Sequence, residues 1–127
     1  MSEKDLNITV ISPEKIIYSG QVDYIKVPGS DGYFGIMVNH APLVAVVDIG
    51  VLELKNSGNT IRIVVEGGFI EVKANKVSVL TNGGDVKDKI DLEKAKKDLE
   101  NLINDVSIKN RDLQIKKAQA RILAYEL

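Results

Sequence analysis

GSDGYFGIMVNHAPL, residues 29–43, is the segment around which this 127-residue chain is arranged. It holds three glycines, one proline and the only histidine, and runs rich in β-branched and apolar residues flank it. Glycine adopts backbone angles that other residues avoid, and Asp31 and Asn39 favour turns through local hydrogen bonds. The segment is therefore predicted to fold back sharply as a shaped loop with a short strand, and such loops commonly carry function.

The composition is that of a globular protein with one domain, or with a domain of about 85 residues and an appendage. A net charge of −1 gives no general attraction to nucleic acid or to an anionic bilayer. The absence of cysteine excludes disulfides, thiolate zinc sites and a cysteine nucleophile. No long apolar run is present, and the polar start MSEKDLN does not resemble a signal peptide, so we expect an intracellular, unanchored chain.

Two parts of the chain differ in composition. All ten glycines lie between Gly20 and Gly84, and the three prolines lie within the first 42 residues. The remainder has neither residue, and 19 of its residues are charged. We therefore predict a boundary at Gly84, with a first domain of residues 1–84 and a second of residues 85–127.

The first domain contains short alternating segments typical of half-buried strands, separated by turn signals. We expect Gly20 to mark a bulge, residues 56–59 to form a hairpin turn, and residues 66–68 to form a tight connection. Seven or more short strands without a helical period indicate an antiparallel sandwich or barrel. The predicted strands are residues 6–11, 15–27, 43–47, 51–55, 61–65, 69–73 and 76–80.

The second domain has the period of two amphipathic helices. Asp91 is the predicted N-cap of the first helix, and residues 104–109 separate it from a second helix over residues 110–125. Such a pair forms an antiparallel hairpin, and its few large apolar groups indicate a movable element. The predicted apolar positions are Leu92, Ala95, Leu99, Leu102, Ile103 and Val106, then Ile115, Ala118, Ile122 and Tyr125.

Catalytic and metal-binding signals are weak. His40 is the one candidate base or ligand, but no H-x-x-x-H or G-x-S-x-G pattern accompanies it, and Ser30 lacks the form of a nucleophile. Ordering of a loop or an interface is the favoured role of His40. The pairs 67–68 and 83–84 are interpreted as tight turns and a flexible linker rather than phosphate loops. The aromatic residues are not interleaved with basic ones, so no nucleic-acid partner is expected.

Five basic residues against one acid, Asp112, mark the region of the second helix. They form either a solvated face or a docking surface for an acidic partner segment. The five are Lys109, Arg111, Lys116, Lys117 and Arg121.

Taken together, these motifs resemble the epsilon subunit family of the F-type ATP synthase. The similarity covers nearly the whole chain: Ser12-Pro13-Glu14, then VPGSDGYFGIMVNHAPLVAVVDIGVLEL (27–54), VVEGGFIEVKANKVSVLT (64–81) and a charged two-helix tail. Gly35-Ile36, residues 40–43 and residues 66–69 are the most specific elements. The resemblance implies a β-sandwich of about ten strands followed by a helical hairpin.

The same resemblance implies a non-catalytic rotor subunit of a proton- or sodium-driven ATP synthase, without a required cofactor. Its partners would be the gamma subunit and the c-ring, and it would reach the membrane only through them, on the cytoplasmic face of a bacterial plasma membrane. The absence of an arginine-rich transit segment favours a bacterial or plastid-encoded chain. Carried over by position, the c-ring contact is Gly29, Ser30, Asp31, Gly32 and Tyr33, and the gamma contact is Ser12, His40, Ala41 and Pro42.

For the hairpin, the resemblance implies an inhibitor of ATP hydrolysis that extends toward the beta subunit, and in some cases alpha. Lys109, Arg111, Lys116, Lys117 and Arg121 would meet an acidic segment there. ATP as a regulatory ligand would contact Asp91, Lys94, Ala95, Lys117 and Arg121. Lysine at 94 and asparagine at 101 replace arginines of the family pattern, so binding is expected to be weak. The alternative is a free-standing nucleotide-sensing module with the hairpin as a lid.

Overall fold

A β-sheet folded into two layers carries a pair of helices on one outer face. The computed structural model describes residues 5–127, so the first four residues of the polar N-terminal segment lie outside it. A single 3₁₀ turn, Lys87–Lys89, joins the sheet to the helices. The strands are β1 (Leu6–Ile11), β2 (Ile16–Val22), β3 (Tyr24–Gly29), β4 (Gly32–Met37), β5 (Leu43–Asn56), β6 (Asn59–Lys73), β7 (Lys76–Thr81) and β8 (Gly84–Val86), and the helices are α1 (Leu92–Asn104) and α2 (Arg111–Glu126).

The strands are hydrogen-bonded in the order β2-β1-β7-β6-β5-β3-β4, with β8 pairing to β6. The predicted sandwich is confirmed, but the prediction that it is wholly antiparallel is wrong at one place. β1 and β7 run parallel, with Asn7 opposite Lys76 and Ile11 opposite Leu80. These two strands are far apart in sequence, so no hairpin turn imposes an antiparallel arrangement on them.

Two long strands account for the difference between the ten strands expected and the eight found among residues 5–127. Residues 43–47 and 51–55 belong to one 14-residue strand, β5, and residues 61–65 and 69–73 belong to one 15-residue strand, β6. Their ladder continues from Leu43 opposite Val72 to the turn at Asn56 and Asn59. Residues 66–68 are therefore a bend within a strand, not a tight connection. Dividing β5 and β6 at the bend recovers ten segments.

Three smaller predictions in this part of the chain are also corrected. The segment 15–27 is two strands separated at Asp23, whose carboxylate accepts a hydrogen bond from the Ser57 backbone N–H at 3.1 Å. The bulge lies at Ile17, where the β1–β2 register shifts, whereas Gly20 pairs regularly with Ile8. The pair 83–84 is not a flexible linker, because Gly84 begins β8. The boundary predicted at Gly84 thus falls on the first residue of β8.

The core lies between the two layers and is aliphatic. Alternate residues of each long strand are buried there, as the period of two requires. Full burial of one such side chain contributes roughly 1.5–3 kcal/mol. Buried members include Leu6, Ile8, Val10, Ile25, Val27, Ile36, Leu52, Leu54, Ile63, Ile70, Val77 and Val79.

Local signals set the ends of the two helices. Asp91 is the N-cap of α1 as predicted, because its carboxylate accepts the Lys94 backbone N–H at 3.1 Å. α2 instead starts after Asn110, which has a left-handed φ of 56° and makes no side-chain cap. Between the helices, the Ser107 hydroxyl and backbone N–H donate to Asp105 at 2.6 and 3.0 Å and lower the pKa of that carboxyl.

The buried face of the hairpin is narrower than predicted. Ile103, Val106 and Tyr125 are exposed, since α1 packs chiefly on α2, and only α2 makes extensive contact with the sheet. The buried residues of the helices are Ala95 and Leu102 on α1, and Ala118, Ala120 and Ala124 on α2. Ala120 and Ala124 form a small cluster with Val51, Val64 and Ile90.

Candidate functional site

An exposed apolar surface crosses the outer face of the layer opposite the helices. Cross-strand pairs join its members on five adjacent strands: Ile16 with Ile11, Ile11 with Leu80, Leu80 with Phe69, and Phe69 with Val46. Directly paired residues project from the same face of a sheet, so the side chains are neighbours. We call Ile11, Ile16, Val44, Val46, Phe69 and Leu80 the apolar band.

The members of the apolar band are strongly exposed for large apolar side chains. Phe69 at its centre is 57% exposed, and Val44 and Ile16 at its margins are 71% and 64% exposed. Contiguous exposed apolar patches of this kind mark interaction sites. The band is therefore the strongest candidate for a protein interface in the described part of the chain.

Sequence reasoning missed the apolar band, although residues 43–47 (LVAVV) carried a signal for it. Every position of that segment is apolar, which is typical of a strand covered on both faces. In a two-layer sandwich only the inner face of each strand is covered, so the outward-facing apolar residues of such a strand stay exposed unless another protein binds there. Residues 43–47 were predicted as a strand of a sandwich, but the exposed apolar side that this assignment implies was not deduced.

Ser12 and His40, both predicted at one interface, lie at different ends of this layer. Ser12 follows Ile11 of the band, is buried, and donates its hydroxyl to the Lys15 carbonyl at 3.3 Å. His40 is half-buried, and its Nδ1 lies 2.7 Å from the Ala41 carbonyl oxygen. The length of β7, roughly 17 Å, separates the two positions. The structure therefore does not bring Ser12 and His40 together but places them on either side of the apolar band.

An amide pair holds the loop that carries His40. The Asn39 backbone N–H donates to Asn75 Oδ1 at 2.7 Å, and Asn75 Nδ2 donates to Asn39 Oδ1 at 3.3 Å. Ala41 and Pro42 are exposed and lead directly into β5. The loop and the apolar band are thus continuous along one strand.

The five residues 29–33 lie together at the β3–β4 turn. Ser30 and Asp31 form its exposed tip, and the Ser30 backbone N–H donates to the Val46 carbonyl at 3.1 Å. Tyr33 is exposed, and Lys26 Nζ lies 5.1 Å from the centroid of its ring. This tip adjoins the apolar band at Val46, so the two surfaces are adjacent.

A cleft of about 720 Å³ lies between the hairpin and the edge of the sheet formed by β6 and β8. All five residues predicted to contact ATP line it, so the structure brings Asp91, Lys94, Ala95, Lys117 and Arg121 together. The charges of the lining are balanced, with Glu66, Asp85, Asp91 and Asp98 against Lys89, Lys94, Lys117 and Arg121. A polyanion would therefore meet little net positive charge.

The five basic residues of the second-helix region do not share one surface. Lys109 and Lys116 are exposed. Arg111 donates to the Leu102 carbonyl at 2.6 Å and to the Ile103 carbonyl at 3.0 Å, and so holds the end of α1. Lys117 and Arg121 turn toward the sheet and pair with its carboxylates.

Within residues 5–127, no helix has the length and apolar character required to cross a membrane.

Comparisons with known proteins agree with this architecture. A family model described as the beta-sandwich domain of the ATP synthase delta/epsilon chain matches residues 5–84. The ATP synthase epsilon chain of Leptospira borgpetersenii is 52% identical over 118 residues, with 93% of both chains covered. That of Leptospira interrogans is 47% identical over 123 residues, with 97% of both chains covered. The chain belongs to the ATP synthase epsilon chain family, whose members are accessory subunits of the rotary enzyme and not its catalytic subunit.

Solved structures support the fold. A chain of the Euglena gracilis mitochondrial ATP synthase matches with a TM-score of 0.72 and 22% identity, covering 97% of this chain and 78% of that one. A chain from the Tetrahymena thermophila structure, described as central stalk and c-ring, matches with a TM-score of 0.63 and 16% identity, covering 96% and 99%. At these identities, the similarity establishes the fold only.

Proposed function

We propose that this chain is the central-stalk subunit that joins the gamma subunit to the c-ring in a proton- or sodium-driven ATP synthase. The observation that carries the proposal is the apolar band, since interfaces of permanent complexes resemble a divided hydrophobic core. Family membership supports the same assignment, as does the match to a structure of a central stalk and c-ring. The chain would lie at the cytoplasmic face of a bacterial plasma membrane, held there by its protein partners.

The two partners would take adjacent surfaces of the sandwich. We assign gamma to the apolar band and to its flanking residues Ser12, His40, Ala41 and Pro42. We assign the c-ring to the exposed tip formed by Gly29, Ser30, Asp31, Gly32 and Tyr33. Transmission of torque requires stiffness and complementary shape, which a two-layer sandwich with anchored loops supplies, and it requires no nucleophile.

The hairpin would act as the regulatory part of the subunit. Only a small cluster, with Ala120 and Ala124 on the helix side, forms its apolar contact with the sheet. An element whose buried apolar contact with the sheet contains only alanines on the helix side suits a two-state switch. When it extends, the five basic residues from Lys109 to Arg121 would meet an acidic segment of the beta subunit, with alpha nearby, and block hydrolysis.

Removal of residues 89–127 is expected to leave a folded sandwich that binds gamma but no longer inhibits. The reason is that the core between the layers lies wholly within residues 6–86. The measurement is the rate of ATP hydrolysis by a reconstituted catalytic head that contains gamma. Three samples are compared: the head without this chain, the head with the full chain and the head with the truncated chain. We expect the truncated chain to restore a severalfold higher rate than the full chain allows.

Thermal unfolding of the truncated chain is the control for its integrity. A truncated chain that binds gamma and inhibits as strongly as the full chain would contradict the role of the hairpin. If neither form binds gamma or alters hydrolysis, the rotor assignment fails. The free-standing nucleotide-sensing module would then be the better hypothesis.

We also propose that the cleft beside the hairpin is a weak regulatory ATP site. Lys94 offers a point charge in place of the arginine fork, and Asp98 already pairs with it at 3.0 Å. Equilibrium dialysis with ATP is expected to give millimolar affinity, reduced further by Lys94→Ala. Lys97→Ala is the matched control, because Lys97 is on the same helix but does not line the cleft. Submicromolar affinity, or equal effects of the two substitutions, would refute this assignment.

A further inference from the structure

Side chains of opposite charge meet where α2 crosses β6 and β8. Arg121 Nη1 lies 2.8 Å from Glu66 Oε2, and Arg121 Nη2 and Nε lie 3.1 and 3.2 Å from Asp85 Oδ2. Lys117 Nζ lies 3.7 Å from Glu66 Oε1, and Lys15 Nζ lies 3.8 Å from Asp85 Oδ1. We propose that this cluster is an ionic latch that holds the hairpin on the sandwich. Until the hairpin opens, the latch keeps Lys117 and Arg121 of the hairpin in ion pairs with the sheet.

The sheet holds the backbone of Glu66, one of the two latch carboxylates, through several hydrogen bonds. The Glu66 backbone N–H lies 2.9 Å from the Gly83 carbonyl and 3.0 Å from Thr81 Oγ1, and Asn82 Nδ2 donates to the Glu66 carbonyl at 3.2 Å. A Cβ at position 83 would come within 2.5 Å of Glu66 Oε1, so glycine there makes room for the carboxylate. The backbone that carries the Glu66 carboxylate is therefore fixed by the sheet before the helix docks.

The apolar contact beneath the latch is small, so the ion pairs contribute a substantial part of what holds the hairpin. On the helix side it consists of Ala120 and Ala124, and an alanine contributes only one methyl group. The Arg121 and Glu66 side chains are 21% and 15% exposed, and Arg121 contacts two carboxylates. Charge-assisted pairs of this geometry are stronger than exposed ones, although both partners regain water when the hairpin opens. A close balance between docked and open states follows.

The latch uses Lys117 and Arg121, which the proposed function assigns to the partner contact. In the docked state, Lys117 and Arg121 are paired with the carboxylates of Glu66 and Asp85. An acidic partner segment therefore has to displace these two carboxylates. Docking and inhibition are then mutually exclusive uses of the same two side chains. This consequence rests on the proposed function, whereas the latch itself concerns the isolated chain.

The test measures hairpin position in the isolated full chain. Since the chain has no cysteine, Thr60→Cys and Gln119→Cys give one exposed spin-label site on the sandwich and one on α2. Pulsed electron paramagnetic resonance spectroscopy then yields the distribution of distances between the two spin labels. We expect Glu66→Gln and Asp85→Asn each to raise the open population roughly tenfold. We also expect the open population to rise as NaCl is raised from about 0.05 to about 0.5 M.

Asp98→Asn is the matched control, because Asp98 is a carboxylate of the same cleft whose partner, Lys94, lies on the same helix. It should leave the distribution unchanged. A cycle of Glu66→Gln and Arg121→Gln should be non-additive, as for groups in direct contact. The latch is overturned if the variants at 66 and 85 behave like Asp98→Asn, if salt has no effect, or if the cycle is additive. Circular dichroism melting confirms that the sandwich remains folded, and Asp85→Asn serves where another variant does not fold.

Glu66→Gln and Asp85→Asn, which leave the basic residues intact, separate the latch from the proposed function in the hydrolysis assay. If they open the hairpin and strengthen inhibition at a given subunit concentration, both stand. If they open the hairpin and leave hydrolysis unchanged, the regulatory role is overturned and the latch stands.

Discussion

Gly68→Ala is expected to lower the free energy of unfolding by about 4 kcal/mol, at the upper end of the effects of single substitutions. Gly68 has a φ of +140°, and a Cβ there would collide with the backbone carbonyl of Leu80 on the adjacent strand. Neither atom belongs to a flexible side chain, so relief requires β6 and β7 to separate. The measurement is chemical denaturation of the full chain, monitored by the spectroscopic signals of both the sandwich and the helices.

Gly58→Ala provides the matched comparison for this substitution. Gly58 also has a positive φ, +85°, but no atom lies within 4 Å of the Cβ that alanine would add. The cost there is backbone strain alone, about 1 kcal/mol. Equal losses at the two positions would show that the bend of β6 does not depend on close approach of the strands.

Phe69→Asp is expected to weaken binding to gamma by at least about a hundredfold while the chain stays folded. Phe69 is central in the apolar band, between Val46 and Leu80 on the neighbouring strands, and is exposed in the isolated chain. Removing an aromatic anchor and burying a charge among apolar groups together cost roughly 3 kcal/mol or more. The measurement is the affinity of the purified chain for gamma.

The control for Phe69→Asp is Met37→Asp. Met37 is also an exposed apolar residue on a strand, but it lies on β4 and outside the apolar band. Its replacement should change neither gamma binding nor unfolding. A comparable loss of binding at the two positions would mean that gamma does not select this face, and unchanged binding of Phe69→Asp would remove the band from the interface.

Local features were predictable from sequence because their causes are local. The turn at residues 56–59 and the Asp91 cap each depend on a few consecutive residues, and the structure contains both. The continuity of β5 and β6 was missed because Asp48 and Gly67 are ordinary strand breakers. Gly67 does adopt a left-handed φ of 82° at the bend, yet β5 and β6 continue because they pair with each other on both sides of it. Such pairing is not visible in a window of sequence.

The candidate site shows the same division. Residues 29–43 were predicted to fold back sharply as a shaped loop with a short strand, and the structure has the β3–β4 turn, β4 and the His40 loop there. The apolar band was missed, since its members come from five strands. The meeting of Arg121 with Glu66 and Asp85 depends on where α2 crosses the sheet. A charge count along the helix treated Arg121 and Lys116 alike, although one faces the sheet and the other faces water.

The shared strands β5 and β6 have a mechanical consequence for the subunit. Val46 of the apolar band and Val51 beneath α2 are five residues apart on β5, and Phe69 and Val64 have the same separation on β6. A load applied by a partner to one face would therefore reach the part of the sheet beneath the helices through covalent backbone and through the β5–β6 pairing on both sides of the bend. Twisting of β5 and β6 would change the curvature of the sheet beneath the helices, so that under the proposed function mechanical strain and release of the hairpin would be coupled.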